Sequence, residues 1–176
     1  PSDKEILVVE DSKMFAHTIK SAIHRELDCT IQLAASFEEA RQAFHQKGNT
    51  FFAAVLDLVL PDAPHGEVVD YVLGKNIPTI VLTSAFSDAV REEFTSRNIV
   101  DYIIKEGPHS LGQLIQTLRR LDANRSIKVM VVDDAKLSRH TIKSLLARHR
   151  FQIIEASNGR EALKRLDDHP DTRVVI

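Results

Sequence analysis

The sequence ILVVED at residues 6–11 returns in altered form as VMVVDD at residues 129–134. Each acidic pair is followed, six residues after its second member, by the pentapeptide HTIKS, at residues 17–21 and again at residues 140–144. The offset is 123 residues for both features, from 6 to 129 and from 17 to 140. A repeat spaced at the length of a whole domain predicts two copies of one domain and excludes a short solenoid unit.

The composition is that of an ordinary globular protein, with 43% hydrophobic residues and a formal net charge of −2 over 176 residues. So small a charge gives no argument for nucleic acid or a membrane surface as a partner. The single cysteine, Cys29, excludes an internal disulfide and favours a reducing compartment. No apolar run approaches the roughly 20 residues of a membrane span. We therefore expect a cytoplasmic protein without direct contacts to nucleic acid or membrane.

Short apolar runs and amphipathic segments alternate along the first copy, residues 1–121. This alternation predicts an α/β domain with a doubly wound, five-stranded parallel sheet, because right-handed crossovers place helices on both faces. The predicted strands are residues 6–9, 30–34, 51–56, 79–82 and 101–104. The first predicted helix begins at residue 12, and the other four cover residues 37–46, 67–73, 88–97 and 110–121.

Residues 122–126 are polar and predict a linker, and residues 127–176 repeat the first half of the domain. The helix of this second copy is predicted to turn Ile142, Leu145 and Leu146 inward. The chain stops within the third strand of the copy, so we expect the sequence to be a piece of a longer protein.

Four of the five predicted strands in the first copy end in a chemically useful residue. The carboxyl ends of parallel strands meet at one edge of the sheet, where ligands bind. Carboxylates there are suited to Mg²⁺, and a carboxylate beside that ion can attack phosphorus as a nucleophile. The residues at these strand ends are Glu10, Asp11, Asp57, Thr83 and Lys105.

The chain resembles the receiver domains of bacterial two-component response regulators. The motifs that carry the resemblance are ILVVED at 6–11, VLDLVLP at 55–61, IVLTS at 80–84 and DYIIK at 101–105. The resemblance implies a flavodoxin-like sheet with strand order 2-1-3-4-5, and it covers residues 1–121 and half of a second receiver.

The resemblance also implies a role for each site residue. Asp57 would be the phosphoacceptor, and Glu10, Asp11, Asp57 and the Val59 carbonyl would surround Mg²⁺. Thr83 would contact the phosphoryl group, with Lys105 as its counter-ion. The rotamer of Tyr102 would couple to Thr83. In the second copy, Asp133 and Asp134 would be the metal ligands.

The implied function is Mg²⁺-dependent transfer of a phosphoryl group from a histidine kinase or histidine phosphotransfer protein to Asp57. The switched surface would bind a second copy of the chain or a downstream output domain, by analogy a diguanylate cyclase. No enzyme activity is expected within these residues beyond phosphorylation and dephosphorylation of Asp57.

Two departures from the family pattern accompany these motifs. Glu106 stands where receivers have proline, which predicts a trans Lys105–Glu106 peptide, because a cis bond without proline costs about 2.5–4 kcal/mol. The loop at residues 61–66 is one residue longer than usual. Both favour an alternative, in which a receiver without phosphoryl turnover serves as a dimerisation scaffold. Two other functions fit the residues less well. A phosphoester hydrolase would need an acid at position 59, where this chain has Val59. A cofactor-binding flavodoxin would need glycine and free backbone amides after the first strand, where this chain has two carboxylates.

Two repeated histidines, His17 and His140, sit beside inward positions of their helices, and we interpret both as surface residues. The second copy's first helix also carries five cationic residues and no acid. This pattern favours a solvated or partner-facing surface over DNA recognition, since no helix-turn-helix is present.

Overall fold

The computed structural model of the chain describes residues 4–84 and 87–176. Residues 1–3 and 85–86 of the predicted first domain lie outside this description. The chain divides into two compact units, Pro1–Leu118 and Arg119–Ile176. The predicted domains at residues 1–121 and 127–176 stay a prediction. No helix among the described residues has the length and apolar character needed to cross a bilayer.

Strands and helices alternate in the first unit as the sequence predicts. The strands form a five-stranded sheet in the order β2-β1-β3-β4-β5, with every neighbouring pair parallel, which confirms the predicted topology. The elements are β1 (Glu5–Val9), α1 (Lys13–Glu26), β2 (Thr30–Ala34), α2 (Phe37–Lys47), β3 (Ala53–Leu56), α3 (Glu67–Leu73), β4 (Thr79–Thr83), α4 (Asp88–Ser96), β5 (Asp101–Ile104) and α5 (Gly107–Asn124).

The central strands are buried throughout because helices cover both faces of the sheet. Every residue of β3 and β4 is buried, and so are the last four residues of β1. Such strands carry continuous apolar runs instead of an alternating pattern. The helices begin at residues whose hydroxyls accept a backbone N–H: Ser12 caps α1, Ser36 caps α2 and Ser87 caps α4.

The loop between β3 and α3 is a tight, self-bonded turn. Leu60 and Ala63 exchange backbone hydrogen bonds of 3.2 and 3.1 Å, and both side chains are buried. The carboxylate of Asp62, at the tip of the turn, accepts the backbone N–H groups of Phe37 and Glu38, both at 3.0 Å. These bonds satisfy the first amides of α2 and hold the loop in place.

Gly66 closes this loop at a position that only glycine fits. Its φ of +79° lies in the left-handed region, and a Cβ there would come within 2.5 Å of the Phe94 ring and 2.7 Å of the Leu58 side chain. The start of α3 therefore packs directly against α4.

The second unit repeats the first half of the first. Its strands form a parallel sheet in the order β7-β6-β8, which corresponds to β2-β1-β3 and confirms the predicted internal repeat. The elements are β6 (Lys128–Val132), α6 (Lys136–Arg148), β7 (Gln152–Ala156), α7 (Gly159–Asp168) and β8 (Thr172–Val175).

Two predictions about helices are wrong in detail. Leu145 was expected to face inward, but its exposed fraction is 46%, because Ile142 and Leu146 occupy the centre of the inward stripe of α6. Helix α5 does not end at residue 121 but continues to Asn124, into the segment predicted as a linker. Polar residues alone do not end a helix, and residues 122–124 contain neither glycine nor proline.

Candidate functional site

Three carboxylates meet at the carboxyl edge of the first sheet. Glu10 and Asp11 follow β1 directly, and Asp57 follows β3, its neighbour in the sheet. One carboxylate oxygen from each residue lies within 4.8 Å of the other two. Within residues 4–84 and 87–176, this is the only group of three or more potential metal-ligating side chains. The sequence-based prediction of a converging acidic set thus agrees with the geometry.

Lys105, which follows β5, bridges two of these carboxylates. Its ammonium nitrogen lies 2.6 Å from Glu10 Oε2 and 2.5 Å from Asp57 Oδ2. The side chains of Lys105, Glu10 and Asp57 are 10%, 3% and 10% exposed. Two charge-assisted hydrogen bonds with so little access to water form a strong link between the strand ends.

The environment of Glu10 combines burial with two hydrogen bonds. Its Oε1 accepts the Ser12 backbone N–H at 3.2 Å, while Oε2 receives the Lys105 ammonium. Burial raises the pKa of Glu10, the hydrogen bond and charge of Lys105 oppose that rise, and the charge of Asp57 adds to it. Burial has the largest effect, so Glu10 holds a proton more readily than an exposed glutamate does.

Asp57 is fixed by the backbone on both sides. Its N–H donates to the carbonyl of Val9 at 2.9 Å, and its Oδ1 accepts the N–H of Val59 at 3.3 Å. The carboxylate is nearly buried but lies beside Asp11, which is exposed. The turn after β3 thus aims the Asp57 carboxylate into the acidic cluster, with Val59 next to it.

The donor set suits a hard divalent cation. All three side chains offer carboxylate oxygens, the ligands that Mg²⁺ and Ca²⁺ prefer. Three carboxylates and one ammonium carry a formal charge of −2 when all are ionised, which a divalent ion would balance. The residues present therefore fit the Mg²⁺ that the sequence predicts.

Thr83 and Tyr102 lie on the two strands beyond Asp57. The carbonyl of Thr83 accepts the backbone N–H of Lys105 at 2.8 Å, so these residues are direct neighbours across β4 and β5. Both Thr83 and Tyr102 are buried, at 1% and 7% exposure. Burial raises the pKa of the Tyr102 hydroxyl, the charge of Arg91 lowers it, and that of Asp57 raises it. Their roles as a switch pair stay a prediction.

The second acidic pair is held by its own turn. Asp133 Oδ1 accepts the Ala135 N–H at 2.7 Å, as Glu10 does with Ser12 in the first copy. The guanidinium of Arg139 donates to the backbone carbonyls of Asp133 and Asp134 at 2.7 and 3.3 Å. Metal binding by these two acids stays a prediction.

The contact between Phe15 and Lys105 could not be predicted from the sequence. The helical spacing of Phe15 with Ile19, Ala22 and Ile23 predicts an inward position, yet the buried residues of α1 are Ala16, Ile19, Ala22 and Ile23. Phe15 is half-buried, and Lys105 Nζ lies 4.9 Å from the centre of its ring. A cation at this distance over an aromatic ring is attracted to it.

The peptide bond after Lys105 is trans, as expected from Glu106 at the next position.

No protein-family model matches the chain. Two solved structures, both of two-component system response regulator/GGDEF domain proteins, are similar to it with TM-scores of 0.80 and 0.79. Each is 37% identical over 98% of this chain and 69% of the other. The chemotaxis protein CheY1 of Helicobacter pylori is 41% identical over 51 residues, which are 28% of this chain and 41% of CheY1.

The similarity to the two GGDEF domain proteins extends over nearly the whole chain and covers both copies of the repeat. The chain therefore belongs to the response regulators of two-component systems and contains CheY-like receiver domains.

Proposed function

We propose that Asp57 accepts a phosphoryl group from a phosphohistidine of a histidine kinase or histidine phosphotransfer protein, in a reaction that requires Mg²⁺. One observation supports this most strongly: Asp57 lies between two further carboxylates and an ammonium group at one edge of the sheet. A nucleophilic carboxylate, a cation site and a fixed positive charge are what phosphoryl transfer needs.

In the proposed reaction an Asp57 oxygen attacks phosphorus, forming an O–P bond while the N–P bond of the donor breaks. The electron pair of that bond returns to the imidazole nitrogen, which takes up a proton from water. Glu10, Asp11, Asp57 and the Val59 carbonyl would hold Mg²⁺, which neutralises charge on the phosphoryl oxygens when bound. Lys105 adds a second positive charge, because its ammonium already touches Asp57.

Phosphorylation would change the partners of Lys105 and Thr83. Before transfer, Lys105 bridges Glu10 and Asp57. Afterwards its ammonium would bind a phosphoryl oxygen, and the Thr83 hydroxyl would donate to another. Such a shift would act on Tyr102 and on the face formed by α4 and β5, which we propose as the surface that binds a second copy or a neighbouring domain.

The proposed output is a GGDEF domain. Support comes from the two similar response regulators that contain one, of which this chain covers 69%. Under this proposal the receivers would control a diguanylate cyclase, an output that the sequence suggests only by analogy.

The test is to incubate the chain with Mg²⁺ and acetyl phosphate and to measure its intact mass. We expect one phosphoryl group in the wild type, none without Mg²⁺ and none in Asp57→Asn. Asp62→Asn is the matched control, because Asp62 is an aspartate of the same loop that instead caps α2, and it should be labelled normally. Labelling of Asp57→Asn at the wild-type level would contradict the assignment.

One observation favours a second candidate, a scaffold without phosphoryl turnover. Lys105 already satisfies Glu10 and Asp57, so the cluster is partly neutralised without a metal ion. Absence of both Mg²⁺ binding and labelling in the folded wild type would favour this function.

A further inference from the structure

The Lys105 ammonium lies between two acids and an aromatic ring. The acids are Glu10 and Asp57, whose oxygens are 2.6 and 2.5 Å away. The ring is that of Phe15, whose centre lies 4.9 Å from Lys105 Nζ. An aromatic ring attracts a cation most strongly where water is largely excluded. The side chain of Lys105 is 10% exposed, so this condition is met.

The two acids would not hold Lys105 in the same way throughout the proposed reaction. Both would bind Mg²⁺, and an Asp57 oxygen would then form the bond to phosphorus. A bound divalent cation is the largest local charge in its site, and it competes with an ammonium for the same carboxylates. The Phe15 ring takes no part in metal binding or in the transfer. Its attraction for Lys105 would therefore outlast both steps.

The position of Phe15 is coupled to that of the acids. As the N-cap of α1, the Ser12 hydroxyl accepts the Phe15 N–H at 3.4 Å. The Ser12 N–H donates to Glu10 Oε1 at 3.2 Å, and Glu10 Oε2 receives the Lys105 ammonium. These contacts form a closed circuit that runs from Glu10 through Ser12 and Phe15 to Lys105 and back. The first turn of α1 thus holds the ring in register with the acidic cluster.

The backbone at Lys105 is fixed as well. Its N–H donates to the Thr83 carbonyl at 2.8 Å. The Glu106 N–H donates to the Ile104 carbonyl at 2.7 Å, which makes Lys105 the central residue of a tight turn. The remaining freedom lies in the flexible four-carbon stem of the lysine. Contacts at the tip of this stem therefore decide where the ammonium lies.

Packing of the helix does not require an aromatic residue at position 15. Four other residues of α1 are buried, whereas Phe15 is only half-buried. At an offset of 123 residues the second copy has Ser138 at this place, and α6 forms there without an aromatic side chain. The contact with Lys105 is thus a feature of the first copy's site and not a requirement of the fold.

We propose that Phe15 is a positioning residue for phosphoryl transfer, whose ring keeps the Lys105 ammonium beside Asp57 after Mg²⁺ and the phosphoryl group have bound the carboxylates. This inference rests on the proposed function, because it assumes that Asp57 is the acceptor. Phe15 does not touch the phosphoryl group and acts through Lys105. Since the attraction of a ring for a cation has no single acceptor atom, the ammonium can move from a carboxylate to a phosphoryl oxygen over the same ring.

The test uses the intact chain with three single substitutions. Phe15→Leu removes the ring and keeps an apolar residue of high helix propensity, so we expect it to fold. Phe15→Tyr is the conservative variant, because it keeps the ring. The matched control is Phe37→Leu, which removes another half-buried phenylalanine from the first turn of a helix. The Phe37 ring packs on that of Tyr71, with 5.5 Å between their centres.

The rate of phosphorylation by acetyl phosphate is followed by intact mass at increasing Mg²⁺ concentrations. We expect the rate at saturating Mg²⁺ to fall about threefold to thirtyfold in Phe15→Leu, the range that corresponds to a cation–π attraction at exposed to desolvated sites. The Mg²⁺ concentration that gives half of the maximal rate should stay that of the wild type, because Phe15 offers no ligand oxygen. Phe15→Tyr should restore the rate, and Phe37→Leu should match the wild type.

NMR adds a readout that a purely structural role would not move. An aromatic ring shifts the resonances of protons over its face upfield. The ε-methylene protons of Lys105 should therefore resonate upfield of those of an exposed lysine in the wild type and in Phe15→Tyr. This shift should persist when Mg²⁺ is added and should be absent in Phe15→Leu.

The outcomes separate the positioning role from the proposed function. Absence of labelling in the folded wild type would refute the proposed function, and this inference with it. When the wild type is labelled, the positioning role is overturned by an unchanged rate in Phe15→Leu, by a failure of Phe15→Tyr to restore the rate, or by an equal loss in Phe37→Leu. A weaker Mg²⁺ affinity that accounts for the whole loss, or a Lys105 shift that disappears with Mg²⁺, would overturn it as well.

Discussion

Replacement of Lys105 by methionine removes the ammonium that bridges the buried acids while keeping a side chain of similar length. Glu10 and Asp57 would then face each other at the sheet edge without their shared counter-charge. We expect a marked loss of stability when no divalent cation is present. The loss measures how strongly the strand ends depend on this one residue.

The magnitude follows from the burial of the three groups, which are at most 10% exposed. Removing one partner of a buried ion pair costs about 3–5 kcal/mol, because the remaining charge is left without compensation. The matched control is Lys47→Met, since Lys47 also pairs with a glutamate, Glu5, but at 37% and 21% side-chain exposure. That pair should contribute less than about 1 kcal/mol.

The effect of Lys105→Met should also depend on pH. Loss of the lysine removes the interactions that oppose the raised pKa of Glu10, so this pKa rises further in the folded variant. When the folded-state pKa of an acid lies above its unfolded-state pKa, the folded state binds more protons than the unfolded state between these two values. The free energy of unfolding therefore falls as pH rises through that interval. The cost of the substitution should be small below about pH 4, the ordinary range for glutamate, and complete above the folded pKa.

The assay is urea unfolding followed by circular dichroism in EDTA, since the chain has no tryptophan. Mg²⁺ added afterwards should restore stability in the variant, because a cation that binds only the folded state stabilises it. Equal stability of wild type and Lys105→Met at neutral pH, or an equal loss in Lys47→Met, would refute the reasoning.

Two further predictions concern other parts of the chain. Gly66→Ala should lower the free energy of unfolding by about 2–4 kcal/mol in urea titrations, from left-handed strain and a clash with Phe94. The control Gly112→Ala, with open space around its Cβ, should be neutral or stabilising by up to about 1 kcal/mol. In NMR titrations, Glu161 should show a pKa of about 2, because its carboxylate accepts the backbone N–H and hydroxyl of Ser157. Because the pKa of Glu161 is depressed in the folded state, its ionised carboxylate stabilises the fold above the ordinary pKa of 4.5, and this stabilisation is lost as pH falls towards 2. A measured pKa near 4.5 would contradict the prediction.

The strands and the set of acids could be predicted from local patterns, whereas the strand order 2-1-3-4-5 was implied by the resemblance to receiver domains. Buried parallel strands carry continuous apolar runs, and β3 and β4 are such runs. The rule that ligands bind at the carboxyl ends of these strands then brings Glu10, Asp11 and Asp57 together. Neither step requires knowledge of distances between atoms.

The contacts inside the site could not be predicted in the same way. Lys105 binds Glu10 and Asp57, which lie 95 and 48 residues away in the chain, and no local pattern specifies which carboxylate oxygens it reaches. Phe15 has the spacing of an inward residue, but it lies under the Lys105 ammonium. The Asp62 cap on α2 likewise joins elements 25 residues apart.

Identification of the phosphorylated residue tests the central claim most directly. The chain is incubated with Mg²⁺ and phosphodonor, and the acyl phosphate is reduced with borohydride, which converts a phosphorylated aspartate into homoserine. Tandem mass spectrometry then locates the homoserine. The account predicts homoserine at position 57 and only when Mg²⁺ is present. Homoserine at Asp11 or Asp62 instead, or a phosphoryl group on His17 with Asp57 unmodified, would contradict it.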